Sequence, residues 1–214
     1  MSEADLKSFL GAVYLLQLRH GAFTEKELSE YTGKFEISSV LGRLVSQEYL
    51  TQHHGDGGRR YALSEKGRAQ VKVVLAGGVY DVLHLGHLAA LTEARSLGDV
   101  LVAVVATDVT VGMLKGRKPL FPEEDRRALV EGLKPVDKAI LGYEDVGMGY
   151  EQVLKEVMPD IVAFGYDQEN LEHSVREIIE RNHLNIQMVR LSKFDHERYL
   201  SSSSVKQRFA EELR

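Results

Sequence analysis

His84 and His87 stand three apart in the run Gly77-Gly78-Val79-Tyr80-Asp81-Val82-Leu83-His84-Leu85-Gly86-His87. The 214 residues contain no cysteine, so a disulfide, a thiolate zinc site and a thiol nucleophile are excluded. Chemistry has to come from histidine, hydroxyl, carboxylate, lysine, arginine or backbone groups. Gly77 and Gly78 let the chain turn tightly and come close to a ligand, and a helix opening at Leu85 aims its free amides at the same space, which makes an anion site. The two histidines then sit on either side of that helix start, with Gly86 keeping the space between them clear. His-x-x-His is also half of a metal site, here without a nearby third ligand, or a pair of helix-capping residues. Four residues alone do not separate these readings.

The elements that must hold these residues alternate from residue 69 onward. Val71 to Ala76 reads as a buried strand, Leu85 to Ser96 as a helix, Val100 to Ala106 as a strand and Glu123 to Leu133 as a helix. Strands at Lys138 to Leu141, Ile161 to Phe164 and Ile186 to Leu191 follow, with helices at Tyr150 to Val157 and Leu171 to Arg181 and one more at the C-terminus. Near-continuous apolar strands between amphipathic helices call for a five-stranded parallel α/β sheet with helices on both faces. Ligands bind beyond the carboxyl ends of such strands, so the loops after Ala76, Ala106 and Phe164 are the places to search. Neither a G-x-G-x-x-G dinucleotide loop nor a P-loop is present.

Residues 1–68 have another grammar. Leu6, Phe9, Leu10, Val13 and Leu16 recur at helical spacing, Thr24 and Glu27 form a capping-box pattern, and a third helix is expected from Glu36 to Gln47. Two strand-like runs then flank Gly55-Asp56-Gly57-Gly58, a hairpin turn signal. Three helices and a hairpin resemble a winged helix-turn-helix domain, with the boundary at 68/69 and the second domain over 69–214. That resemblance implies DNA contacts from Arg43 on the third helix and from Arg59 and Arg60 in the wing. Nine Lys and Arg against nine Asp and Glu leave the segment neutral, and dimerisation or packing on its neighbour is the alternative use. His53 and His54 read as solvated wing residues.

The formal charge of -5 argues against bulk attraction to nucleic acid or an anionic membrane. No stretch approaches the roughly 20 apolar residues of a membrane span, and the start MSEADLKSFL carries acids where a secretory leader has early positive charge. The expectation is a soluble, cytoplasmic protein with no membrane partner.

The turn and the histidines do not stand alone. Asp108 follows the second strand and leads to Lys115-Gly116-Arg117-Lys118, Arg126 and Arg127 open the next helix, Gly165-Tyr166-Asp167-Gln168 follows the fourth strand, and Leu200-Ser201-Ser202-Ser203-Ser204 precedes the last helix. In this order, and with His-x-Gly-His, these elements resemble the cytidylyltransferase-like nucleotidyltransferase superfamily, whose fold is Rossmann-like. The run from Val104 to Gly142 and the Asp167-Gln168 pair look most like the archaeal FAD synthetases, since glycerol-phosphate cytidylyltransferases typically carry an aspartate-tryptophan pair there. The sequence departs from the pattern at Val79-Tyr80, in place of Thr-Phe, and in an all-serine hydroxyl run preceded only by Arg198. It also lacks C-terminal cysteines and carries an extra N-terminal module.

The resemblance implies transfer of AMP from ATP to FMN, with a CTP-dependent transferase acting on a polyol phosphate, or a flavin- or nucleotide-sensing DNA-binding regulator, as alternatives. It assigns donation to the α-phosphate and leaving oxygens to His84 and His87, and a phosphate grip to Lys115. Gly77, Gly78, Val79, Tyr80, Asp81, Gly86, Arg126, Gly165 and Asp167 are expected around the nucleotide, Ser201, Ser202 and Ser203 at its β and γ groups, and Asp108 and Arg117 at the acceptor. The alternative for Arg126 and Arg127 is partial pairing with Glu123 and Glu131 on the helix surface. Mg²⁺ or another divalent cation bridges the phosphates through mostly water ligands, with no dedicated protein cage. A homodimer is a candidate assembly.

Overall fold

The computed structural model describes residues 2–34, 37–55, 58–145, 149–194 and 211–212. The chain separates into two compact units, Met1–Lys72 and Val73–Arg214.

In the first unit, α1 (Glu3–His20) and α2 (Glu25–Thr32) each open on a capping box, Ser2 with Asp5 and Thr24 with Glu27. These boxes occupy amides that a helix start leaves without intrahelical partners. The helix α3 (Ser38–Ser46) buries Leu41 and Leu44. It begins later than the apolar spacing suggests, and Glu36 lies outside the described residues. The strands β1 (Leu50–Gly55) and β2 (Gly58–Leu63) pair antiparallel, with His53 opposite Arg60 and His54 opposite Arg59. Tyr61 on β2 also bridges Phe23, and both are buried. A single turn, α4 (Glu65–Arg68), closes the unit behind the Ser64 cap.

The second unit is built on β3 (Val73–Gly78), β4 (Val100–Val105), β5 (Lys138–Leu141), β6 (Ile161–Phe164) and β7 (Gln187–Arg190). All pairings are parallel, in the order β5-β4-β3-β6-β7. One face of the sheet, including Val74, Ala76, Leu101, Ala103 and Ala163, packs with Leu91 and Ala94 of α5 (Leu85–Ser96) and Val130 of α7 (Glu123–Glu131). On the other face Leu75, Val104, Val162 and Phe164 share a small apolar cavity with Val153 and Leu154 of α8 (Gly149–Val157) and Val175 of α9 (Glu169–Arg181). Cover on both faces is why β3, β4 and β6 read as unbroken apolar runs rather than alternating ones. The helix α6 (Asp108–Lys115) is the one element that sequence reasoning left as a connecting segment. Its signals were Thr107, which caps the Thr110 amide, and Gly116, left-handed just past its end. Among the described residues no helix is long and apolar enough to cross a membrane.

Candidate active site

The strand order reverses its direction of growth between β3 and β6, and at such a switch point the loops leaving two neighbouring strands splay apart and open a crevice. Both glycine-containing turns singled out above lie there, one after β3 and one after β6. Gln168 ties them together: its side-chain oxygen accepts from the Gly165 amide at 2.7 Å and its nitrogen donates to the Gly77 carbonyl at 3.0 Å. Sequence reasoning gave Gln168 no role beyond marking the branch. Asp167 is exposed, and a Cβ on Gly165 would lie 3.3 Å from its Oδ1.

His84 occupies the N-cap position of α5, yet its side chain makes no capping hydrogen bond, which removes the capping explanation for it. Its ring stacks on His87 with centroids 3.8 Å apart and planes 23° from parallel. The edge of the pair is closed by Tyr80, 5.3 Å from His87 in a T-shaped contact. Tyr80 is buried and adopts a left-handed backbone, φ 53°, which non-glycine residues rarely take. Its ring lies over Gly78, where an added Cβ would come within 2.7 Å of Cζ. Gly78 is therefore required by its own neighbour, Tyr80, which in turn fixes His87.

Burial lowers the His84 pKa, and for His87 burial, then the His84 ring, then the Lys115 charge push the value down to about 4. His87 is therefore neutral at pH 7 and carries a single ring N–H. Its Nδ1 is buried without a hydrogen-bond partner among the described residues. A neutral donor beside the unpaired amides of a helix start suits an anion that arrives with its own charge.

Several of the residues expected at the ligands are already engaged within the protein. Arg126 was expected at the nucleotide, but it is fully buried and all three kinds of guanidinium nitrogen already donate to the protein. Nε reaches the Phe121 carbonyl at 2.9 Å, one terminal nitrogen the Val79 carbonyl at 2.5 Å, and the other the Asp108 carboxylate at 2.7 Å. Asp108, expected at the acceptor, is thus half of an ion pair, and its amide donates to Glu123 Oε2 at 2.6 Å. Asp81, expected at the nucleotide, is buried and accepts from the amides of Leu120 and Phe121 at 2.6 and 3.2 Å. Arg117 stands 3.8 Å from the same carboxylate and keeps an exposed side. Through these bonds Asp81 fixes the loop at Leu120 and Phe121. Of the surface pairings expected for the two arginines, only Arg127 with Glu131 forms: Arg127 also pairs with Glu124, Arg126 is buried against Asp108, and the Glu123 carboxylate is turned to the Asp108 amide. Lys115 and Lys118 are exposed, with Lys115 at the last turn of α6. Ser201, Ser202, Ser203 and Arg198 lie outside the described residues. In the other unit Arg43 and Arg59 are exposed, while Arg60, also exposed, donates to the Ala22 carbonyl at 2.7 Å.

Residues 75–208 match the cytidylyltransferase-like family model, a span that takes in the switch point, the stacked histidines and the serine run. The chain belongs to the cytidylyltransferase-like family. Among relatives within reach of this cytidylyltransferase-like chain, the FAD synthase of Thermoplasma acidophilum is 46% identical over 132 residues, 62% of this chain and 89% of that protein. The FAD synthase of Aciduliprofundum boonei is 46% identical over 56% of this chain and 78% of that one. A solved structure described as a lipopolysaccharide core biosynthesis protein of Thermoplasma volcanium is 43% identical, with a TM-score of 0.54 over 58% of this chain and 99% of that chain.

Proposed function

We propose that the Val73–Arg214 unit transfers the AMP portion of ATP to FMN and releases pyrophosphate, as an FAD synthase. The observation that carries this reading is the neutral His84–His87 stack at the mouth of the switch point, in a chain 46% identical to an FAD synthase over 89% of that protein. An oxygen of the FMN phosphate attacks the α-phosphorus of ATP. The new P–O bond forms as the bond to the bridging oxygen breaks, and its electron pair leaves with pyrophosphate. The attacking phosphate is already ionised, so no general base is needed; what the reaction needs is fixed donors where charge builds on the equatorial and bridging oxygens. His84 and His87 supply them, and Lys115 supplies a positive charge at the phosphates. Arg126, Asp81 and Gln168 hold the turns that aim them.

A divalent cation, Mg²⁺ in the simplest case, neutralises phosphate charge when bound. Asp81 and Asp108 are already engaged, and no cluster of three His, Asp or Glu side chains forms a cage among the described residues. Such an ion would be held chiefly by phosphate oxygens and water.

The test is a substrate screen in which pyrophosphate and product are measured with ATP or CTP against FMN or glycerol phosphate. FAD from ATP and FMN is the expected product. CTP consumption that needs glycerol phosphate and ignores FMN overturns the reading in favour of a polyol-phosphate cytidylyltransferase.

A second reading concerns the Met1–Lys72 unit. Its three helices and hairpin suit a winged helix that binds DNA, and what favours this is the exposure of Arg43 on α3 and of Arg59 at the hairpin tip. Duplex binding is expected to weaken steeply with salt, as phosphate contacts release counterions, and Arg43→Ala with Arg59→Ala should flatten that slope by about two contacts' worth. Affinity that is indifferent to salt and to both substitutions leaves the unit a packing or dimerisation module.

A further inference from the structure

The helix α6 carries more apolar residues than it buries. Val111 and Thr110 face inward, Thr110 bonded to Thr107, whereas Val109, Met113 and Leu114 face solvent, the last two 65% and 60% exposed. A surface helix ordinarily buries its apolar side and presents its polar one. Beyond the Gly116 turn, Leu120 and Phe121 are exposed as well, although Asp81 holds the amides of both. Five of the twelve large apolar residues exposed among the described residues thus fall within the single segment 109–121.

The segment leaves and returns at one base. Asp108 bonds through its amide to Glu123 and through its carboxylate to Arg126, so α6 and the return chain form one projection closed at its foot. The projection carries exposed cations, Lys115, Arg117 and Lys118. It also adjoins the histidine pair: Arg117 stands 3.8 Å from Asp81, three residues before His84, and the Lys115 charge is felt at His87. Apolar surface and cations therefore lie side by side at the edge of the reacting centre.

We propose that this projection seats the acceptor, with the flavin ring of FMN on the surface of Met113, Leu114, Leu120 and Phe121 and its phosphate facing Lys115. The assignment rests on the FMN-adenylylating reading above and names the surface that selects FMN. Flavin mononucleotide is a flat, largely apolar three-ring system at one end and an anionic phosphate at the other. That is the complement of an apolar surface ending in cations, and most of a ligand's affinity comes from such apolar area while a few charges orient it. The pliable thioether of Met113 can follow a flat ring. A polyol phosphate has nothing apolar to cover the patch.

The test compares the parent protein with Met113→Ser/Leu114→Ser, reading initial rates of FAD formation and, separately, quenching of FMN fluorescence without ATP. The FMN KM and Kd are expected to rise about tenfold or more, which is the loss of two buried apolar side chains converted to affinity, with the ATP KM unchanged. Met113→Leu/Leu114→Met keeps the apolar volume and should return FMN binding close to the parent value. An unchanged FMN Kd in the serine variant, or an equal rise in the ATP KM, overturns the assignment. Both side chains face solvent, so folding is not at stake. A shift to a smaller sedimenting species with FMN affinity intact assigns the patch to a second copy of the chain and overturns the assignment too. Failure of the parent protein to make FAD from ATP and FMN is a different outcome: it overturns the FAD synthase reading itself, and this assignment with it.

Discussion

His87→Ala is expected to lower turnover about a hundred- to a thousandfold while leaving the melting temperature close to that of the parent. One preorganised donor aimed at developing charge is worth about 2.7–4 kcal/mol in the transition state. His87 is well placed to be such a donor because Tyr80 and His84 leave its ring little freedom, so no reorganisation is needed as charge develops. His87→Gln retains an N–H on a longer, looser arm and should recover part of the loss. The pH dependence carries a second signature. The ordinary histidine value is 6.5 and the folded value is about 4, so between those limits the unfolded chain binds the proton that the folded one refuses. The stability linked to His87 is complete above about pH 6.5 and is lost as pH falls through 4, and His87→Ala should remove that part of the acid slope. Bound nucleotide reverses the trend: phosphate oxygens favour the imidazolium, so the His87 value should climb on binding, which a proton NMR titration with and without ATP reads directly. Unchanged turnover in His87→Ala would take the site away from the histidines.

The strands, α5 and the histidine motif were legible because each carries its own local signal. Continuous apolar runs announce a sheet covered on both faces, and Gly77-Gly78 before His84 announces a ligand turn. The helix α6 was not legible from periodicity. Val109, Met113 and Leu114 face water while Val111 shares the inner side with Thr110, so the apolar residues follow no single helix face, and Gly112 weakens the helical signal further. Only its caps, Thr107 and Gly116, betrayed it. The roles of charged residues were harder still. Arg126, Asp108 and Asp81 are of types that bind phosphates, metals or acceptors, and their positions in the chain invite that reading. What decides between ligand and strut is whether carbonyls and amides from distant segments already fill their valence. Val79 lies 47 positions from Arg126, and the Leu120 amide 39 from Asp81. No local pattern encodes such pairings. Gln168 is the converse case, an unremarkable amide that the fold sets between the two strand ends flanking the switch point.

Arg126→Ala is expected to cost about 3–5 kcal/mol of stability, measured by urea denaturation followed by circular dichroism, and to abolish turnover as well. The guanidinium is completely buried and holds three segments at once: the end of the β3 turn at Val79, the return chain at Phe121 and the start of α6 at Asp108. Removing it leaves two carbonyls without their donor, at about 1–3 kcal/mol each, together with a cavity the size of a large side chain. Asp108 suffers less, since its carboxylate is 42% exposed and water can replace the lost partner. The functional loss has the same origin as the structural one. Val79 directly precedes Tyr80, whose strained backbone places the edge that His87 rests on, and Phe121 ends the loop that Asp81 holds. Arg126→Lys keeps the charge but can satisfy only part of that geometry, because a single ammonium cannot reproduce a planar fork reaching three acceptors. The lysine variant should therefore regain some stability without regaining turnover. If Arg126→Ala instead melts with the parent and loses only ATP affinity, the residue is a ligand after all, and its three protein bonds are exchanged for phosphate when the nucleotide binds.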